Sequence, residues 1–396
     1  MSHVLILGGD GYLGWPTAMY FSARGYQVTV VDNYFRRNVC NEIDVNILYP
    51  VPTLVERAEI WHEKTGYEIK VIIGDLTNPE IMRSLFTGKD LVYQWCIDKK
   101  FTGVPETVVH YAEQPSAPYS LMNYKTANFT LSNNLLVTNN LMFAVKDLSK
   151  DTHIIKLGTM GEYGTPNINI EEGWLEVKHK GRKDTFLFPR QAGSIYHTSK
   201  IMDTDLMWFG VRTWGLKVTD LMQGPVYGVE TEESMIDDRL RTIFNYDEVF
   251  GTIINRFIVQ ASIGYPLTVY GSGGQTRGYL NLKDTLQCVH ASEKNPPLKG
   301  ELNIFNQIME TFSVNELADL TKRVGNSRGL NVKIKNIPNP RKEAEKHYYN
   351  PSYDSLKGLG VVPHLLTDSS INRMLDIVEK NSKSIRKSAI FSGIKW

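Results

Sequence analysis

A strand, a glycine-rich turn and a helix open the chain, and this order restricts the fold more than any other feature of the sequence. Val4–Leu7 is a short apolar run, as expected of a strand buried in a parallel sheet. Gly8, Gly11 and Gly14 follow at spacings of three, which lets backbone N–H groups approach a pyrophosphate and lets a helix pack closely on the strand. The sequence therefore predicts an α/β protein with a Rossmann-type, doubly wound parallel sheet.

The end of the second predicted strand indicates which dinucleotide the turn serves. Residues 27–31 are mostly apolar and lead into Asp32. A carboxylate at this place accepts hydrogen bonds from both ribose hydroxyls of an adenosine and repels a 2′-phosphate. The sequence thus favours NAD over NADP, although Arg36 and Arg37 lie nearby. A third strand, residues 69–73, ends beside Asp75 and Leu76, which we expect to contact the adenine.

A tyrosine and a lysine near the middle of the chain are spaced for shared chemistry. Tyr196 and Lys200 are four residues apart, so on a helix they lie on one face, one turn apart. A fixed cation about 4 Å from the phenol, at an effective dielectric of about 20, is worth roughly 4 kcal/mol, or about three pKa units. We therefore expect Lys200 to lower the pKa of Tyr196 so that it acts as a base. Taken alone, the pair is also compatible with a surface turn.

A further strand, residues 154–157, ends in a glycine-flanked loop that contains Thr159. At the carboxyl edge of a parallel sheet, the Thr159 hydroxyl would lie over the cofactor. Residues 174–190 separate this loop from Tyr196 and are rich in lysine, arginine and histidine. The composition is compatible with a lid over the site and equally with an exposed hairpin.

The charge balance excludes a large surface for nucleic acid or membrane. The chain has 44 basic and 43 acidic residues and a net charge of +1, so an anionic ligand must be bound by local arginines. Arg277 follows a strand and a glycine turn, and Arg341 lies in a charged, aromatic stretch. We see no metal-binding spacing among the cysteines and histidines. Three scattered cysteines and the absence of a leader pattern or long apolar run predict a cytoplasmic protein with no membrane span.

These motifs together resemble the extended short-chain dehydrogenase/reductase family that acts on nucleotide sugars. Within that family, the stretch LGTMGEYGTPN (157–167) is similar to the branch that makes a sulfonated sugar nucleotide from UDP-glucose and sulfite. The similarity extends over nearly the whole chain. The stretches that carry it are Gly8–Trp15, Lys156–Glu172, Asp184–Lys200, Tyr246–Asn255, Leu267–Asp284 and Asn339–Asn350.

The resemblance implies a closed redox cycle on tightly held NAD. Tyr196 would take the proton of the sugar 4-hydroxyl while Thr159 hydrogen-bonds the same oxygen, and Lys200 would also hold the nicotinamide ribose. The 4-ketone then acidifies carbon 5, so that water leaves from carbon 6. Sulfite adds at carbon 6, and the hydride returns to carbon 4. The family also implies a homodimer that forms through the helix carrying Tyr196 and the preceding helix.

Two departures from the family pattern concern the steps after oxidation. Ordinary dehydratases of this family have an Asp-Glu pair directly after the threonine, where this chain has Met160 and Gly161. His197 and Glu162 are therefore the candidates for moving the carbon-5 proton, with His197 preferred because imidazole titrates near neutrality. Pro115 stands where plant members of the branch have an arginine, which affects a loop that we expect to contact ligands.

The predicted site residues form three sets. The predicted catalytic residues are Thr159, Tyr196, Lys200, His197 and Glu162. The predicted cofactor-binding residues are Gly8, Asp10, Gly11, Tyr12, Gly14, Asp32, Asn33, Arg36, Asp75, Leu76, Tyr196 and Lys200. The predicted substrate-binding residues are Gln114, Thr159, Gln223, Arg256, Gln275, Arg277 and Arg341.

Two domains are expected from the length of the chain. We assign residues 1–222 and about 276–296 to an NAD-binding domain, and about 223–275 and 297–396 to a smaller, C-terminal α/β domain that binds the UDP-sugar. Two other functions stay open. A UDP-glucose 4-epimerase needs only Thr159, Tyr196, Lys200 and NAD. A cofactor-sensing binding protein without catalysis is disfavoured, because such proteins typically lose the tyrosine or the lysine.

Overall fold

The structure is a computed structural model that describes residues 2–45, 47–339 and 347–390. Fourteen strands are found among these residues. They are β1 (His3–Leu7), β2 (Gln27–Asp32), β3 (Ile69–Ile73), β4 (Thr107–His110), β5 (His153–Thr159), β6 (Trp174–His179), β7 (Arg182–Leu187), β8 (Lys217–Gln223), β9 (Val226–Tyr227), β10 (Leu267–Tyr270), β11 (Thr276–Asn281), β12 (Leu302–Gln307), β13 (Glu310–Ser313) and β14 (Ile334–Ile337).

Thirteen α-helices lie in the same described ranges. They are α1 (Gly14–Ser22), α2 (Phe35–Glu42), α3 (Leu54–Thr65), α4 (Pro79–Thr87), α5 (Ala117–Leu121), α6 (Tyr124–Leu148), α7 (Ile195–Trp214), α8 (Ile253–Ser262), α9 (Leu282–Lys294), α10 (Val314–Ser327), α11 (Ser355–Gly358), α12 (Asp368–Lys380) and α13 (Lys387–Ile390). None of the helices in this part of the chain has the combined length and hydrophobicity that crossing a membrane requires.

Seven strands form one parallel sheet in the order β12-β8-β5-β4-β1-β2-β3. Every residue of β1 and β4 is buried, because helices cover both faces of such a sheet. The strand order reverses between β1 and β4, and a crevice opens at the carboxyl ends of the strands at such a point. The prediction of a Rossmann-type, doubly wound sheet is confirmed.

The edge strand β12 corrects one predicted domain boundary. It pairs with β8 in parallel from Leu302 opposite Val218 to Gln307 opposite Gln223. The sequence-based boundary at residue 297 assigned this strand to the sugar-binding domain, whereas its hydrogen bonds place it in the large sheet. The rest of the domain division stays a prediction.

A smaller α/β region is built from the later part of the chain. Strands β10 and β14 pair in parallel, and β13, β11 and β9 form a three-stranded sheet. Helices α8, α10 and α12 pack together through buried side chains such as Phe257, Leu317 and Leu375. This region closes the crevice from the side opposite the large sheet.

Residues 229–250 are acidic, with apolar residues at helix-like spacing. This pattern predicts an inserted helical segment, and the prediction is wrong. The segment has two short 3₁₀ turns, Glu233–Met235 and Asp238–Leu240, and is otherwise irregular. The segment contacts the glycine turn region: the Trp15 indole donates to the Leu240 carbonyl at 2.9 Å, and the Thr242 hydroxyl donates to the Tyr12 carbonyl at 2.8 Å. Long-range contacts therefore override the helical spacing of its apolar residues.

Candidate active site

A cavity of about 1010 Å³ lies at the carboxyl ends of the parallel strands. The glycine turn after β1 and the ends of β2 and β3 line one end. Thr159 and Tyr196 line the middle, and residues of the smaller α/β region line the other end. The two regions therefore share one elongated site, which suits a dinucleotide laid end to end with a second ligand.

The glycine turn has no room for side chains at Gly8 and Gly14. Gly8 has a φ of +88°, and a Cβ there would lie 2.8 Å from the carbonyl carbon of Tyr111. A Cβ at Gly14 would lie 2.9 Å from the Cα of Gly9. Gly8, Gly11 and Gly14 all line the cavity beside Tyr12, so a pyrophosphate meets main chain at this end. The residues present therefore fit a bound dinucleotide.

Asp32 ends β2 at the cavity, where a ribose would lie. Its two oxygens accept hydrogen bonds from the backbone N–H groups of Asp10 at 2.9 Å and Tyr34 at 2.7 Å. Burial, together with the Asp10 carboxylate, raises the pKa of Asp32 to about 6, against the two backbone hydrogen bonds. Asn33, Arg36, Asp75 and Leu76 line the cavity, and their binding of the cofactor stays a prediction.

The two arginines after β2 are occupied by other protein groups. Arg36 donates twice to the Asn245 side chain and lies over the ring of Phe250 at 4.1 Å. Arg37 binds the Asp10 carboxylate and two backbone carbonyls, those of Val51 and Pro52. These contacts favour NAD over NADP, because both guanidinium groups already bind protein groups instead of a 2′-phosphate.

Asp10 was predicted to bind the cofactor, and the structure gives it another role. Its carboxylate is buried and forms ion pairs of 2.6 Å with both Arg37 and Arg57. Asp10 is absent from the described residues that line the cavity. It acts instead as a buried anchor that ties α2 and α3 to the glycine turn.

The start of α7 points Tyr196 into the cavity. Ser194 caps the helix by accepting from the His197 N–H at 3.1 Å, and Ser120 accepts from the Tyr196 N–H at 3.1 Å. Thr159, at the end of β5, lines the same part of the cavity. The predicted pair for binding one hydroxyl is thus brought together by β5 and α7.

The pKa of Tyr196 is raised in this structure, contrary to the expectation that Lys200 lowers it. Burial raises the pKa of Tyr196, and the Glu113 and Glu162 carboxylates raise it further, against the opposing charge of Lys156. Lys200 is buried and forms an ion pair with Glu113. Burial alone would lower the pKa of Lys200, but Glu113 and Asp203 outweigh it, and the pKa is raised. The expected shift of about three units rested on the sequence distance and omitted these carboxylates.

His197 lies against the loop after β5, directly beside Gly161. Its Nδ1 is 3.1 Å from the Ser194 hydroxyl, and its ring centroid is 5.1 Å from that of Tyr196. A Cβ at Gly161 would lie only 2.5 Å from the His197 Cδ2 and would overlap the imidazole. The imidazole therefore occupies the space that a side chain at position 161 would fill, and both residues line the cavity.

Glu162, the other candidate for moving the carbon-5 proton, is fully buried behind this loop. It accepts from the Thr159 N–H at 3.2 Å and pairs with Arg190 at 3.0 Å and with Lys156 at 3.7 Å. It is not among the described residues lining the cavity. Glu162 therefore holds the Thr159 loop in place, and its prediction as a proton carrier is corrected.

Four of the predicted substrate-binding side chains line the far end of the cavity. They are Gln223, Arg256, Gln275 and Arg277. Gln114 is instead buried beneath the loop, where its amide donates to the Ser116 carbonyl at 3.0 Å and to the Thr130 hydroxyl at 2.8 Å. Its prediction as a substrate ligand is corrected, because the loop needs these bonds for its own shape. Arg341 lies outside the described residues.

Several cavity residues were not predicted from the sequence. Glu113 precedes Gln114 in the same loop, and its pairing with Lys200 spans 87 positions. Phe35 and Phe250 bring aromatic surface to the cavity, and Phe250 belongs to the segment that was predicted to be helical. A carboxylate directly after β4 was the available signal for Glu113, whereas nothing local indicated Phe250.

The chain matches the NAD dependent epimerase/dehydratase family over residues 4–306. A UDP-sulfoquinovose synthase from the chloroplast of Spinacia oleracea is 44% identical over 393 residues, which cover 99% of this chain and 79% of that protein. A UDP-sulfoquinovose synthase from Sulfolobus acidocaldarius is 41% identical over 396 residues, which cover 99% of this chain and 97% of that protein.

Solved structures of more distant relatives share the fold. UDP-glucose 4-epimerase from Bifidobacterium longum, in complex with NAD⁺ and UDP, superposes with a TM-score of 0.69 at 18% identity, covering 97% of this chain and 100% of that one. UDP-glucuronic acid 4-epimerase from Bacillus cereus, in complex with UDP-glucuronic acid and NAD, has a TM-score of 0.69 at 17% identity, covering 96% and 99%.

Proposed function

The chain belongs to the NAD dependent epimerase/dehydratase family, and from this membership we propose that it is an NAD-dependent enzyme that forms UDP-sulfoquinovose from UDP-glucose and sulfite. The observation that carries the proposal is the identity of 41–44%, over nearly the full chain, to two UDP-sulfoquinovose synthases. Its cofactor is NAD, which supplies a hydride acceptor and donor at sugar carbon 4 when bound.

The first step is oxidation at carbon 4 of the sugar. The glycine turn and Asp32 would hold the dinucleotide, and Tyr196 of α7 lines the same cavity. Thr159 hydrogen-bonds the 4-hydroxyl, and Tyr196 receives its proton while the hydride leaves carbon 4. Because Tyr196 and Thr159 come from different elements that Glu162 and Ser120 fix, the two hydroxyls are oriented before the substrate arrives.

The second step removes water across carbons 5 and 6, and we assign its proton transfer to His197. The 4-ketone acidifies the carbon-5 proton, a base removes that proton, and the 6-hydroxyl leaves as water. In this chain the base cannot stand at position 161, because His197 fills that space. Sulfite then adds at carbon 6, carbon 5 regains a proton, and the hydride and proton return to carbon 4. The net reaction replaces a hydroxyl by a sulfonate.

The UDP moiety of the substrate would bind at the far end of the cavity. Arg256 and Arg277 line that end, and guanidinium groups suit a diphosphate. Gln275 is buried, and its Oε1 has no hydrogen-bond partner among the described residues, so it is available to accept from a ribose or uracil group. In a chain of net charge +1, these local groups must supply the attraction for the anion.

The product formed from UDP-glucose with and without sulfite tests the proposal. We expect a sulfonated UDP-sugar, detected by mass spectrometry, only when sulfite is present. Tyr196→Phe should reduce its formation by about 10²–10⁴-fold, because the proton acceptor is lost. Appreciable UDP-galactose from UDP-glucose alone would instead support a UDP-glucose 4-epimerase and reject the synthase. Near-normal turnover of Tyr196→Phe would reject the catalytic assignment.

We also propose that the enzyme is a homodimer formed through α6 and α7. These two helices pack side by side and expose Leu136, Phe143, Met202 and Phe209, each at least 42% exposed. An apolar surface spread over two long neighbouring helices is typical of an association surface. The cytoplasmic location expected from the sequence stays a prediction.

A further inference from the structure

Behind Lys200 lies a buried cluster of two carboxylates that share one ammonium group. Lys200 Nζ pairs with Glu113 and lies 3.7 Å from the Asp203 Oδ2. The side chains of Lys200 and Asp203 are 2% and 0% exposed, and that of Glu113 is 6% exposed. Glu113 also lines the cavity, so the cluster reaches from the substrate site into the core.

The cluster has one more negative charge than positive charge when its members are ionised. His110 adds no compensating charge, because burial lowers its pKa to about 4, although its Nε2 is 3.6 Å from Glu113. Among the described residues, Glu113 Oε1 has no hydrogen-bond partner, and the Asp203 carboxylate has only the Thr138 hydroxyl and Lys200 Nζ, 3.7 Å from its Oδ2, to compensate its charge. Burial with so little compensation favours the protonated form of Asp203.

The groups around the cluster do not remove this excess. On the β5 side, Lys156 and Arg190 are matched by Glu162 and Asp220 in a separate buried network. Helix α6 contributes the Thr138 hydroxyl, and α7 contributes the Tyr196 phenol. Burial, together with the Glu113 charge, raises the pKa of Asp203 to about 7, against the lowering effects of Lys200, Lys156 and Thr138.

The geometry points to a proton-holding site: we propose that Glu113 and Asp203, sharing Lys200, keep inside the protein the proton that the sugar hydroxyl loses on oxidation and return it on reduction. This inference rests on the proposed function. The hydroxyl carbon gives a hydride to the cofactor, and its oxygen gives a proton through Tyr196 to the cluster. In the last step both are given back, so no proton is exchanged with solvent. Glu113 and Asp203 act through Tyr196 and Lys200 and are positioning residues.

The equilibrium between oxidised and reduced cofactor tests the proposal. Enzyme with its bound cofactor is mixed with UDP-glucose, without sulfite, in weak buffer containing a pH indicator. Above about pH 7 the cluster is unprotonated in the resting enzyme, and reduction raises its pKa because the nicotinamide loses its positive charge. Between pH 7 and that raised pKa, the fraction reduced should not depend on pH in the unaltered enzyme, because the proton stays inside. In Asp203→Asn, the ratio of reduced to oxidised cofactor should rise about tenfold per pH unit, with about one proton released per reduced cofactor.

Asp205→Asn is the matched control, because Asp205 lies on the exposed face of the same helix and should leave the unaltered behaviour intact. Glu113→Gln provides a second cluster variant if Asp203→Asn does not fold. Release of one proton by the unaltered enzyme, or a pH-independent ratio in both cluster variants, would overturn the proposal.

An infrared titration of the resting enzyme separates this inference from the proposed function. We expect a carboxylic acid C=O band that titrates near neutral pH and is absent in Asp203→Asn. If UDP-glucose never reduces the cofactor, the proposed oxidation is rejected. The infrared result alone then tests whether the cluster binds a proton. Absence of that band in the unaltered enzyme would then reject the proton-holding site.

Discussion

At the scale of single residues, Gly161 and His197 form the most specific contact of the site. The sequence indicated that Met160 and Gly161 replace the usual acid–base pair, and His197 was named as a substitute on chemical grounds. The structure adds the spatial reason, since the imidazole lies where a side chain at 161 would lie. The glycine and the histidine therefore pack as one unit, and a change at Gly161 acts on His197.

Gly161→Ala should uncouple the two halves of the reaction. The added methyl group displaces the His197 ring, so formation of the sulfonated product should fall by about 10²-fold or more. Reduction of bound cofactor by UDP-glucose, followed by its near-ultraviolet absorbance, should persist because Thr159 and Tyr196 are untouched. Gly358→Ala is the control, since a Cβ there meets no atom within 4 Å and Gly358 does not line the cavity. Equal loss of both activities would contradict the assignment of His197.

Asp32 should make cofactor affinity depend on pH. Ribose hydroxyls bind its carboxylate form, so bound NAD holds the pKa below the value of about 6 in the cofactor-free protein. Affinity should therefore be full above about pH 6 and fall by up to tenfold per unit below it. Calorimetric titration of the cofactor-free enzyme with NAD checks this. Asp32→Asn should bind weakly with no such dependence, and constant affinity of the unaltered protein would refute the prediction.

Residue roles were predictable where they depend on chain-local geometry. The glycine turn, Asp32 and Thr159 follow from strand ends, and all of them line the cavity. Asp10, Gln114 and Glu162 were misjudged because their partners are distant: Arg57 lies 47 positions from Asp10, and Arg190 lies 28 positions beyond Glu162. A polar residue near a ligand-binding loop either binds the ligand or stabilises the loop, and only the tertiary packing shows which.

At the scale of secondary-structure elements, the hairpin of β6 and β7 resolves an open alternative. Its residues pair from Trp174 opposite Leu187 to His179 opposite Arg182, and most of their side chains are exposed. Of the described residues that line the cavity, none belongs to it. Trp174 packs on Trp208 of α7 at 5.0 Å. The structure therefore supports the exposed hairpin over the lid.

Shortening this hairpin should leave catalysis nearly unchanged. Replacing residues 178–183 by a two-residue turn keeps Trp174 on α7 and removes only solvated side chains, so turnover should change by no more than about twofold. Steady-state assay of the sulfonated product checks this, with circular dichroism to show that the variant folds. A loss of turnover with an intact fold would instead support a role of the hairpin as a lid.

Apolar strand runs predicted the positions of β1, β2, β3 and β5, because buried parallel strands need near-continuous hydrophobicity. Strand β12 was harder, since Asn303, Asn306 and Gln307 interrupt its apolar residues. An edge strand is covered less completely, and its partner β8 is 84 positions away along the chain. Its membership of the large sheet therefore depends on long-range pairing rather than on local pattern.

At the scale of the whole molecule, the apolar surface of α6 and α7 predicts self-association. Phe143 and Phe209 each lie 5.1 Å from the ring of Trp214, which forms an aromatic cluster on this surface. Phe143→Glu combined with Phe209→Glu should convert the dimer to a monomer in sedimentation velocity, because burying two charges there is unfavourable. Leu298→Glu, at a site 71% exposed elsewhere, should remain dimeric. A monomeric unaltered protein would refute the prediction.

The position of β12 has a consequence for biosynthesis. The first 223 residues contain six strands of the large sheet, yet the seventh is made only after the segment that carries α8 and α9. A nascent chain that has not reached Leu302 therefore presents β8 as an open edge with unpaired backbone groups. This edge stays unpaired while about 80 further residues are synthesised. At common elongation rates of about 5–20 residues per second, that synthesis takes several seconds. Through that interval the ribosome-bound chain is a substrate for chaperones that bind exposed strand edges.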